Sequence, residues 1–171
     1  MHNPSHLWLL GLSGSGKSTI GPLLAQRLAI PFIDTDERIV QAAKLSIPQI
    51  FARGGEKEFR QWESQIIAQL VQSPSSVIAC GGGVILDPQN RIALSRSGLR
   101  IYLQAELPLL AQRLTRSSDR PLLPADRIHP KLAEQLATRK KWYEESDIQI
   151  PVGSESPEQI CGRILASLPI P

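Results

Sequence analysis

Gly11-Leu12-Ser13-Gly14-Ser15-Gly16-Lys17-Ser18-Thr19 fits the pattern G-x-x-x-x-G-K-[ST]. The apolar run His6 to Leu10 precedes it and a helical pattern from about Lys17 to Leu28 follows, which is the strand, loop and helix setting that the motif requires. Glycines let such a loop curl so that successive N–H groups point inward, and the helix that follows adds its positive end, so polyphosphate is held with few charged side chains. Lys17 is expected to reach the β- and γ-phosphates of a nucleotide, and Ser18 to ligate Mg²⁺. Gly11, Ser13, Gly14, Ser15, Gly16 and Thr19 complete the cradle. A glycine-rich turn with an ordinary lysine is the alternative, and the flanking strand and helix disfavour it.

Outward from this loop, short apolar runs alternate with longer helical patterns. The expected strands are His6 to Leu10, Pro31 to Ile33, Ser76 to Cys80, Arg100 to Leu103 and Asp147 to Ile150. Helical stretches fill the gaps at about Lys17 to Leu28, Glu56 to Val71, Leu107 to Leu114, Pro130 to Glu145 and Pro157 to Leu168. This alternation implies right-handed crossovers and a parallel sheet covered on both faces, an α/β fold with ligands at the carboxyl ends of its strands. No repeat or linker divides the 171 residues, so one domain is expected.

A phosphate loop alone does not separate a motor ATPase, a GTPase and a metabolite kinase. The second expected strand runs into Asp34-Thr35-Asp36, two carboxylates at a strand end. One near Mg²⁺ and one near an attacking hydroxyl would suit phosphoryl transfer, which depends on positioning and charge neutralisation; alternatively Asp36 only caps the next helix. The third strand ends without a motor-type aspartate and runs into Gly81-Gly82-Gly83, which lets backbone approach a ligand closely or forms only a tight turn. Arg60, Arg120 and Arg139 are candidate anion binders, although a single arginine is usually a solvated surface residue.

The ordered landmarks GLSGSGKST, FIDTD, IPQIFARGGEKEFRQWE, GGG, RPLL and an arginine four residues before Tyr143 resemble the shikimate kinase family along nearly the whole chain. The resemblance implies a P-loop, nucleoside-monophosphate-kinase-like three-layer fold with a five-stranded parallel sheet in the order 2-3-1-4-5. It also implies a helical acceptor-binding region at about 34–62 and a lid at about 114–127. By that resemblance Asp34 would organise Mg²⁺ through its water shell, and Asp36 would bind the acceptor hydroxyl as base or orienter. Arg60 and Arg139 would grip the shikimate carboxylate beside Gly81, Gly82 and Gly83, in a pocket shaped by Phe51, Phe59 and Glu63. Arg120 would reach over the phosphates from the lid, while Arg113 and Pro157 would sandwich the adenine. Trp62 and Trp142, beside the acceptor-binding arginines, and a junction after Tyr143 one residue shorter than usual depart from the family pattern.

The implied reaction is ATP plus shikimate giving shikimate 3-phosphate plus ADP, with Lys17, Asp36 and Arg120 as its catalytic residues. A sugar-acid kinase such as gluconate kinase is the enzymatic rival, and a silent nucleotide-binding regulator is the rival of another class. The net charge of +3 comes without a Lys/Arg run interleaved with aromatics, so nucleic acid is not an expected partner. The composition, 42% hydrophobic and 20% charged, is that of a globular protein, and no run approaches the length of a membrane span. The start of the chain lacks a basic region before its apolar patch, and Cys80 and Cys161 match no metal or redox spacing, so a cytoplasmic monomer with both thiols buried as packing groups is expected.

Overall fold

A computed structural model of the chain describes residues 6–116 and 125–169, with side chains from 127 onward in the second stretch. Five strands, β1 (His6–Leu10), β2 (Phe32–Asp34), β3 (Ser76–Ala79), β4 (Gly98–Ala105) and β5 (Ile148–Val152), form one sheet. Their order is β2-β3-β1-β4-β5, and every neighbouring pair is parallel. All five residues of β1 are buried, the mark of a central strand covered on both faces. Pro151, which cannot donate to a ladder, lies on edge strand β5.

The helices are α1 (Lys17–Leu28), α2 (Thr35–Ala43), α3 (Ile47–Leu70), α4 (Pro88–Ser97), α5 (Leu107–Arg116), α6 (Ala125–Tyr143) and α7 (Pro157–Ser167), with a 3-10 turn at Val84–Leu86. Helix α1 packs against α7 and β3, α3 touches α4, α4 packs on β4, and α5 pairs with α6. The core runs through Trp8, Leu9, Ile20, Leu24, Ile67, Ile78, Ile101 and Ile164, each at most 2% exposed. Cys80 and Cys161 are free and buried, as expected of packing residues. Among the described residues no helix is long and apolar enough to cross a membrane.

Some boundaries differ from the sequence reading. Strand β2 starts one residue later and takes in Asp34, while β4 begins at Gly98, whose backbone lies so near His6 that a Cβ there would stand 2.2 Å from the His6 carbonyl oxygen. Helix α4 carries too few apolar residues to announce itself, whereas α2 and the start of α3 fall in the helical region expected at about 34–62; side-chain caps start all three. Asp34 caps α2, Asp87 caps α4, and Ser46 forms a reciprocal capping box with Gln49 at the head of α3. The helix expected from Glu56 extends upstream to Ile47 across a kink at Gly55, whose φ of 68° and ψ of −166° are non-helical angles that favour glycine.

Candidate active site

The loop after β1 takes backbone angles that L side chains resist, with φ of 142° at Gly11, 85° at Gly14 and 104° at Gly16. Gly16 stands at the head of α1 without a side-chain cap, so the first N–H groups of that helix are left for a ligand. Lys17 Nζ donates to the carbonyls of Gly11 at 2.7 Å and Leu12 at 3.0 Å, and to Ser15 Oγ at 3.4 Å, which holds the ammonium over the loop. Ser13, Gly14, Gly16, Lys17, Ser18 and Thr19 line a cavity of about 590 Å³, which Asp34, Asp36, Gly81, Gly82, Arg113 and Pro157 also line. Gly11 and Ser15 are buried beneath the loop and do not line it. Arg113 on α5 donates to Gly14 O at 3.1 Å and Gly153 O at 3.3 Å, tying the phosphate loop to the turn that leads into Pro157.

At the end of β2, Asp34 Oδ2 accepts from Ser18 Oγ at 2.8 Å, while its Oδ1 accepts from the backbone N–H groups of Asp36 at 2.9 Å and Glu37 at 3.4 Å. The cap of α2 is therefore Asp34, and the helix-cap reading of Asp36 is set aside; the Asp36 side chain is left to face the cavity. Ser18 Oγ and Asp34 Oδ2 are hard oxygen donors at the rim of the phosphate cavity, a set that fits Mg²⁺ bound mainly by phosphates and water. Thr35, fully buried between the two aspartates, accepts from Gly81 N–H at 3.0 Å through Oγ1 and so fastens this corner to the glycine loop. Sequence reasoning passed over Thr35; its place between two carboxylates at a strand end was the available signal.

The three glycines do more than allow backbone to approach a ligand. A Cβ at Gly81 would stand 2.8 Å from Glu63 Oε1 and 3.2 Å from Asp36 Oδ1, and one at Gly83 would lie 2.3 to 2.4 Å from the Arg60 guanidinium. Between them, the Gly82 carbonyl accepts from Arg139 Nη1 at 3.2 Å and from the Tyr143 hydroxyl. Tyr143 is buried and stacks on Tyr102 at 4.9 Å between centroids. Arg60 pairs with Glu63 at 2.8 Å and with Glu56 at 3.1 Å. Burial pushes the Glu63 carboxyl up from 4.5 to about 7; Arg60 pulls it down, Asp36 raises it further, and Arg139 lowers it. Phe59 is buried beneath Arg60, whose guanidinium carbon lies 5.2 Å from the ring centroid. Phe51 packs on Phe59 at 5.1 Å but is 41% exposed. Phe51, Phe59, Arg60, Glu63 and Arg139 do not line the cavity itself; their contacts reach it through the glycine loop. Arg120 lies outside the described residues, as does the middle of the expected lid.

Phosphate loop, paired aspartates, glycine loop and two arginines thus meet at the carboxyl ends of β1, β2 and β3, and the shikimate kinase family model matches residues 13–169. This chain belongs to the shikimate kinase family. The shikimate kinase of Thermosynechococcus vestitus is 39% identical over 166 residues, which cover 96% of this chain and 90% of that one. The structure of the Acinetobacter baumannii shikimate kinase, in complex with shikimate, superposes with a TM-score of 0.89 at 33% identity, covering 94% of this chain and 90% of its own. A gluconokinase from Sinorhizobium meliloti reaches a TM-score of 0.64 at 21% identity, over 97% of this chain and 92% of its own. That likeness shows a common fold alone, so family membership separates this chain from the sugar-acid kinases that share its architecture.

Proposed function

We infer that this chain transfers the γ-phosphate of ATP to the 3-hydroxyl of shikimate, giving shikimate 3-phosphate and ADP. The observation that carries the reading is the continuity of an arginine cluster with the phosphate cavity: Gly82 lines the cavity, and its carbonyl is held by Arg139 and Tyr143. Arg139 is 9% exposed and its Nε–H has no protein partner, so a carboxylate could take that donor, with Arg60 closing on the same anion.

In this reading the phosphate loop and Lys17 hold the β- and γ-phosphates, and Arg113 and Pro157 flank the base. Mg²⁺, held by Ser18 directly and by Asp34 through water, would neutralise charge on the transferring phosphoryl oxygens. Asp36 orients the acceptor hydroxyl and receives its proton as the new O–P bond forms and the bond from γ-phosphorus to the bridging oxygen of ADP breaks. Glu63 and Phe59 brace Arg60, with Phe51 packed on Phe59. Arg120 supplies positive charge over the transferring group, from a lid at about 114–127 that shields the transfer from water. The acceptor region spans about 34–62, and the chain acts as one monomeric kinase domain in the cytoplasm.

Phosphorus NMR of the reaction mixture tests this directly. One phosphomonoester at the 3-position should appear for each ADP formed. ADP appearing with inorganic phosphate alone, shikimate being unchanged, would overturn the reading in favour of an ATPase.

A further inference from the structure

Trp142, which departs from the family pattern, sits on α6 between two residues that hold the Gly82 carbonyl. Arg139 lies three residues before it and Tyr143 one residue after. Its indole packs against the core and carries the guanidinium of Arg91, whose Cζ lies 4.6 Å from the ring centroid. The ammonium of Lys141 lies 4.5 Å from the same centroid. Arg91 in turn belongs to α4, and its Nη1 donates to the carbonyls of Ile85 at 2.6 Å and Leu86 at 3.3 Å. Those two carbonyls belong to the 3-10 turn that leads directly out of Gly81-Gly82-Gly83.

The glycine loop is therefore fixed to α6 at both of its ends. At the front, Arg139 and Tyr143 hold Gly82; at the back, Arg91 donates from Nη1 to both the Ile85 and Leu86 carbonyls and rests its guanidinium face on Trp142. A cation over an indole, with its N–H groups taken up by backbone carbonyls, fixes a position rather than a charge. Removing it frees the 3-10 turn and α6 to slide past each other by a fraction of a turn. Arg139, on the same face of α6 one turn earlier, would move with it.

We propose that Arg91 and Trp142 are positioning residues for the acceptor carboxylate: they set the height of α6 against the glycine loop and thereby aim Arg139. This rests on the reading of Arg139 as an acceptor-binding group. It assigns neither residue a contact with substrate. Because the phosphate loop and Arg113 lie on other elements, the effect falls on the acceptor and spares the nucleotide.

The test is a double-mutant cycle on the steady-state constants for shikimate and ATP. Arg91→Ala and Trp142→Leu should each raise the KM for shikimate by about tenfold, the scale expected from a misplaced binding group, with the KM for ATP and kcat within about twofold of the parent. Arg91→Lys and Trp142→Phe, which keep a cation over a ring, should recover most of the loss. Arg139→Lys should weaken shikimate by a similar or larger factor, and adding Arg91→Ala to it should cost little more, because both act through one contact. Multiplicative losses in the double variant, or equal losses in the KM values for shikimate and ATP, would overturn the proposal and leave Arg91 a general stabiliser of the fold. Should Arg139→Lys alone leave shikimate untouched while Arg91→Ala still acts, the carboxylate reading would fail instead. Thermal unfolding of each variant identifies any that lose the fold, and for those the Arg91→Lys and Trp142→Phe pair decides.

Discussion

Two carboxyl groups near one corner are held in opposite circumstances. Asp36 lines the cavity, and the capping of α2 is done by Asp34. Asp36→Asn keeps the shape and removes the charge that would accept the hydroxyl proton, so kcat should fall by roughly a hundredfold or more while ATP affinity, measured by calorimetry, stays near the parent value. Equal losses in both would move Asp36 to the metal side of the site. Glu63 is 1% exposed, and its carboxyl is raised from 4.5 to about 7 by burial, so the folded chain keeps a proton there that the unfolded chain has already lost. Stability should accordingly fall as pH rises from about 4.5 to about 7, and Glu63→Gln should remove that part of the slope in urea unfolding curves. An unchanged slope in the variant would show that Glu63 titrates normally. Asp34, Asp36 and Lys17 were legible in the sequence, because their motifs fix their neighbours. The position of Thr35 between two carboxylates was a signal, but its bond to Gly81, 46 residues on, was not legible, and neither was the burial that raises the Glu63 carboxyl, which only the packed fold supplies.

At the scale of elements, the glycine loop is the piece whose sequence and structure say different things. As sequence, Gly81-Gly82-Gly83 reads as backbone that can approach a ligand; as structure, its end glycines also leave room for Glu63 and Arg60 of α3. Gly83 has φ −99° and ψ 0°, which other residues can adopt, so its side-chain-free surface is needed for space rather than for backbone freedom. Gly83→Ala should fold and push the Arg60 guanidinium aside, raising the KM for shikimate by about tenfold, the equivalent of about 1.4 kcal/mol, with the KM for ATP unchanged. Unaltered shikimate kinetics would mean that Arg60 has another place to bind from. The strands and helices α1, α5 and α7 were read correctly within a residue or two, because their burial writes itself into the sequence as apolar runs and stripes, whereas α3 and α6 begin several residues earlier than their apolar patterns indicate. Helix α4 escaped notice because its stability comes from its cap and tertiary contacts more than from an apolar stripe, whereas α2 falls in the helical region expected at about 34–62.

The whole molecule places its chemistry by topology. With β1 between β3 and β4, the loops that follow β1, β2 and β3 open on the same side, and they carry the lysine, the aspartates and the glycines in turn. The segments after β4 and β5 add Arg113 and Pro157 to the same cavity, so all five strand ends contribute to it. This much follows from alternating strands and helices and one phosphate loop. Choice of acceptor does not, because the gluconokinase fold offers the same frame; in the proposed reading the decision falls to a few side chains on α3 and α6. Those side chains make the central claim testable in one assay: kcat/KM with saturating MgATP for shikimate and for gluconate, read by ADP release. Shikimate should be preferred by at least about a thousandfold, as expected when a site built around a ring carboxylate and fixed hydroxyls meets an open-chain acid that leaves its polar groups unpaired. Comparable turnover of the two acids, or a preference for gluconate, would contradict the account.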